Sequence, residues 1–92
     1  MHSMNDYSSA IQLRSDRWSA LREAASGLTR ATTAKEIEAL RSKCAALFDS
    51  LSLIEPYWAF PGMAAFEHLQ RMLNNNSFDD MAFAVNRITR AL

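Results

Sequence analysis

Four arginines are the residues of this chain best able to do chemistry: Arg14 and Arg17 early on, and Arg87 and Arg90 near the end. Guanidinium groups brought together from two helices could clamp the carboxylates of a small metabolite, because the planar fork matches a carboxylate in a bidentate way. Solvated or ion-paired arginines are the simpler reading. His68 and Cys44 are the next candidates, as metal ligands. A zinc site needs three or four convergent ligands, and these two, with His2 in an N-terminal tail, do not supply them. Cys44 as a nucleophile would need a nearby cation or a helix N-terminus, and access to solvent. It falls instead on an apolar seam, where cysteine packs as a small hydrophobe. The residues therefore nominate no catalytic, cofactor-binding or metal site.

The segment Pro56-Tyr57-Trp58-Ala59-Phe60-Pro61-Gly62 carries three aromatics, both prolines and one of the two glycines. Each proline biases the residue before it away from the α region, so the segment reads as extended or turned. Such a loop either plugs the core of its own domain or presents a surface to a partner. For the second role Tyr57, Trp58 and Phe60 are the candidate interaction residues, with Met63 and Met72 as adaptable neighbours.

The elements that must position these groups are helical. Tyr7, Ile11, Arg14, Trp18, Leu21, Ala25 and Leu28 recur at alternating spacings of four and three, which predicts a first helix over about residues 6–28. Arg14 interrupts that apolar row and, if buried, must be paired; Asp79, Asp80 or Glu67 could serve. Gly27 and the run Thr29 to Thr33 read as the helix end and a turn. Thr33-Ala34-Lys35-Glu36 fits a capping box opening a second helix over about 34–52, with Ile37, Leu40, Cys44, Leu47 and Leu51 as its seam. The short connection predicts an antiparallel hairpin. A third helix is expected over about 62–73, started by Pro61 and stopped at Asn74-Asn75-Asn76. Ser77-Phe78-Asp79-Asp80 resembles a second capping box, and Met81, Val85, Ile88 and Leu92 share one face of a fourth helix. The expected core is Trp18, Leu21, Leu40, Leu47, Phe66, Leu69, Val85 and Ile88.

Composition bounds the rest. At 92 residues with 49% apolar side chains the chain is one folded domain with a modest core. Ten basic and ten acidic side chains cancel, leaving no electrostatic footprint for nucleic acid or an anionic membrane. The longest strictly apolar run, Met81 to Val85, is far below the ~20 residues of a membrane span. No secretory signal is visible at the start, and a lone cysteine suits a reducing cytoplasm. The fourth helix has no stop signal after Arg90-Ala91-Leu92, so residues 1–92 read equally as a whole protein or as the N-terminal piece of a longer one.

The run from Leu53 through the aromatic segment to Gly62, with Phe66, Leu69 and the closing Val85-Asn86-Arg87-Ile88-Thr89-Arg90-Ala91-Leu92, resembles a helical region ahead of the catalytic part of large bacterial Orn/Lys/Arg decarboxylases. The resemblance covers residues 53–92 and rests on aromatic residues rather than chemical ones. It implies a non-catalytic domain concerned with assembly or regulation. No Ser-x-His-Lys pattern for a Schiff-base lysine is present, so the family's pyridoxal-phosphate chemistry is not carried by this chain. The expectation is thus an all-α antiparallel bundle of about four helices that acts as an interaction or oligomerisation module, associating with itself or with the remainder of a parent chain. The alternative is a small helical enzyme or ligand binder that uses the four arginines.

Overall fold

The apolar stripes of this sequence can be buried only by folding four helices against one another, and the computed structural model has that form. It describes residues 4–92, with side chains from Ser8 onward; the expectations attached to His2 and to the Tyr7 side chain lie outside the described residues. Helix α1 spans Met4–Arg30, α2 Ala34–Ile54, α3 Gly62–Asn74 and α4 Phe78–Ala91, with a 3-10 turn at Glu55–Tyr57. Helix α1 packs on α2 and α4, and α3 closes the ring between α2 and α4, so α1 and α3 are diagonal. The chain runs up, down, up, down. At 27 and 21 residues, α1 and α2 outreach the shorter α3 and α4, which have 13 and 14.

The core is continuous. Trp18, Leu21, Ala25 and Leu28 of α1 meet Cys44, Phe48 and Leu51 of α2, Phe66, Leu69 and Leu73 of α3, and Met81 and Val85 of α4. Phe48 and Phe66 cross edge to face, with ring centres 5.4 Å apart at 78°. Of the expected core, Leu40, Leu47 and Ile88 are only half-buried against this cluster. Ile11, expected inward, is 41% exposed, and Leu92 is 46% exposed. Both lie where α4 ends and the longer α1 runs on without cover.

Local signals explain most boundaries. Thr33 caps α2 as its spacing implies: its hydroxyl accepts from the Glu36 N–H at 3.1 Å and donates to the Glu36 carboxylate at 2.9 Å. Helix α3 ends in a Schellman turn, with Ser77 N–H bonded to Met72 O, Asn76 N–H to Leu73 O, and Asn76 at φ 59°. Arg41 of α2 reinforces it by donating to Leu73 O at 3.0 Å and to the Asn76 side chain.

Two local readings are corrected. Ser77 precedes α4 but makes no side-chain cap bond. Its backbone (φ −83°, ψ 62°) is committed to the Schellman turn rather than the extended form from which a cap hydroxyl reaches forward. Gly27 does not end the first helix, which continues to Arg30. A Cβ on Gly27 would sit 3.2 Å from Leu40 Cδ1, so this glycine serves the close approach of α1 and α2. The other glycine, Gly62, sits at φ +81° with open space around it, so only its backbone freedom is used where the loop turns into α3.

Candidate functional site

The aromatic loop is fixed to the bundle by a buried polar cluster. Arg14 projects from the inward stripe of α1 and meets Glu55, the first residue after α2. Arg14 Nε donates to Glu55 Oε2 at 2.8 Å and Nη2 donates to Oε1 at 3.1 Å. Trp18 Nε1 also donates to Glu55 Oε2, at 3.2 Å. The carboxylate thus accepts three hydrogen bonds while wholly buried, and among the described residues no buried side-chain polar atom lacks a partner. Arg14 also donates to the carbonyl of Phe60 and carries its guanidinium 4.2 Å from the centre of the Trp58 ring. One side chain therefore holds both ends of the loop and its central ring by charge, hydrogen bond and cation–π contact.

The partner of Arg14 is a correction to the sequence reading, which offered Asp79, Asp80 or Glu67; all three side chains are exposed. A signal for Glu55 was present. Cys44, Phe48, Leu51 and Glu55 continue one stripe at spacings of four, three and four. Two opposite charges, each interrupting an apolar row on antiparallel neighbours, can satisfy each other.

The cluster turns the loop's rings in different directions. Tyr57 is 86% exposed and Phe60 50%, whereas Trp58 is half-buried over Arg14. Phe60 and Pro61 are joined by a cis peptide bond. Plug and surface are thus divided among the three rings. Met63 and Met72 are half-buried against the core from opposite ends of α3, and Met72 is remote from the loop. Beside Tyr57 an open groove of about 550 Å³ runs between the start of α1 and the end of α2, lined by Ala10, Leu13, Leu53, Ile54 and the loop. Of the seven large apolar side chains that stay exposed among the described residues, Ile11, Leu13, Leu53, Tyr57, Phe60 and Leu92 all flank or belong to this loop; Phe83 is the exception. Sequence reasoning missed Leu13 and Leu53 because neither falls on its helix's core stripe.

Three of the four arginines have separate partners. Arg14 belongs to the buried cluster, Arg17 donates to Ser50 Oγ at 3.0 Å, and Arg87 lies 5.9 Å from the Phe83 ring centre. Arg90 is exposed in the last turn of α4. Cys44 is fully buried, and desolvation pushes its thiol up to about 11 despite the opposing pull of Lys43. His68 is exposed on α3, and among the described residues no three His, Cys, Asp or Glu side chains converge as metal ligands would. No described helix is long and apolar enough to cross a membrane. No protein-family model, curated protein or solved structure matches this chain.

Proposed function

We propose that this chain is a non-catalytic helical interaction module of the cytoplasm, which associates with itself or with the remainder of a longer parent chain through the loop end of its bundle. The observation that carries this reading is the gathering of six exposed large apolar side chains around one buried polar cluster. Scattered apolar residues are ordinary on a surface; a contiguous set is characteristic of interaction sites. Tyr57 and Phe60 offer large apolar area at little entropic cost, and a loop held by Arg14 is ordered before any partner arrives. The charges inside the face cancel, so two copies can meet there without repulsion. With net charge zero, neither nucleic acid nor an anionic membrane is a partner in this reading. The resemblance to the helical region preceding the catalytic part of Orn/Lys/Arg decarboxylases agrees with it, and makes the parent an amino-acid decarboxylase in which this domain serves assembly or regulation.

Amide hydrogen exchange as a function of protein concentration tests the reading. Exchange at residues 8–13 and 53–60 should slow as concentration rises, while the exposed faces of α3 and of the middle of α2 stay unchanged. Protection that appears on those faces and not at the loop end would refute it.

A further inference from the structure

A second hollow, of about 300 Å³, lies on the other side of Trp58 between α1 and the end of α4. We infer that it is a binding site for a small amphipathic monocarboxylate, with its apolar tail towards the loop and its acid group at Arg22. Ile11, Ser15, Ser19 and Arg22 line it at spacings of four, four and three, so one stripe of α1 passes from apolar through hydroxyl to cationic. The stripe covers roughly 16 Å at the helical rise, an elongated bed rather than a spherical one. Trp58 and Leu92 add apolar wall at the Ile11 end. The volume lies at the lower bound for small-molecule sites, and the mixture of apolar wall with a few polar groups is typical of them.

Charge fixes the orientation of the ligand. Arg14 touches the hollow, but its charge is neutralised by Glu55. Arg22 has no carboxylate partner within ion-pair distance among the described residues, so it supplies the net positive charge. The final carbonyls of α4 make the Leu92 end negative, which turns an acid group away from it and towards Arg22. A single uncompensated guanidinium matches one carboxylate better than a dianion. Ile11, Trp58 and Leu92 are shared with the apolar face, but Leu53 and Tyr57 do not line this hollow, so octanoate binding by Leu53→Ser/Tyr57→Ser tells the two readings apart.

Octanoate is a suitable probe, titrated into the full chain while tryptophan emission and binding heat are followed. Binding should be saturable, and its emission change should shrink in Trp58→Phe to the share carried by Trp18, which also lines the hollow, while the heat remains. Arg22→Gln should weaken binding about tenfold, the scale of one charge-assisted contact, with Arg71→Gln on α3 as an unaffected control. Octan-1-ol, which has the tail but no charge, should bind about tenfold more weakly than octanoate. Circular dichroism confirms folding of each variant. Absence of saturable binding, equal affinity of wild type and Arg22→Gln, or octan-1-ol binding as tightly as octanoate would each overturn the inference.

Discussion

Removing the Arg14 guanidinium would strand the Glu55 carboxylate inside the bundle with the Trp18 N–H as its remaining partner. Breaking a buried pair in this way costs ~3–5 kcal/mol, more than the pair adds to stability over well-packed apolar residues. Arg14→Met should therefore destabilise strongly in urea titration, and Arg14→Met combined with Glu55→Leu should recover much of the loss. Additive costs in that double-mutant cycle would show that the two groups act independently. Cys44 provides a pH test. Its folded pKa is raised from 9.0 to about 11, so the folded state favours the neutral thiol. The resulting stability is complete below about pH 9 and is lost as pH rises towards 11. Thermal midpoints of wild type should fall more steeply than those of Cys44→Ala between those limits; parallel curves would contradict a buried, protonated thiol.

At the scale of the element, the same sequence motif has two outcomes. Thr33 and Ser77 both precede a helix at capping-box spacing, yet only Thr33 makes its bond. Thr33→Ala should cost ~1 kcal/mol and Ser77→Ala almost nothing, measured by urea midpoints. Equal costs would mean that the cap hydrogen bond is not what stabilises the start of α2. The difference was not legible in sequence, because it depends on whether the preceding chain is free to extend. It is free after Ala31-Thr32, and it is not in a Schellman turn that places Ser77 at ψ 62°. Helix number and pairing, by contrast, follow from stripes that any reader of spacing can find. The errors lie at the flanks: Gly27 read as a terminator because contact with Leu40 across helices has no local trace, and Ile11 read as core because helix length, not spacing, decides whether α4 reaches it. Of the candidate site, the aromatic loop was visible from composition. Its anchorage by Arg14 and Glu55 required pairing two irregularities 41 residues apart.

The molecule as a whole is elongated, 49 by 22 by 20 Å, and its exposed large apolar side chains, Phe83 apart, are gathered near the loop among the described residues. Half-burial lowers the expected cost of Leu47→Ala to less than that of Phe66→Ala, which should remove ~3–5 kcal/mol, much of what a domain of this size has. The exposed face contributes little to that stability. Tyr57 and Leu53 can therefore be changed without unfolding the bundle, which separates association from folding. Phe83, exposed on α4 beside Arg87 and away from the loop, serves as the matched control.

Sedimentation equilibrium over a micromolar concentration range bears most directly on the role of the loop end. It compares wild type with Leu53→Ser/Tyr57→Ser and with Phe83→Ser, all three checked for equal thermal midpoints. The expected result is a reversible dimer or larger assembly for wild type and for Phe83→Ser, and a monomer for Leu53→Ser/Tyr57→Ser. A wild type that stays monomeric throughout, or an assembly that Phe83→Ser dissolves and the loop-end pair does not, would contradict self-association through this face.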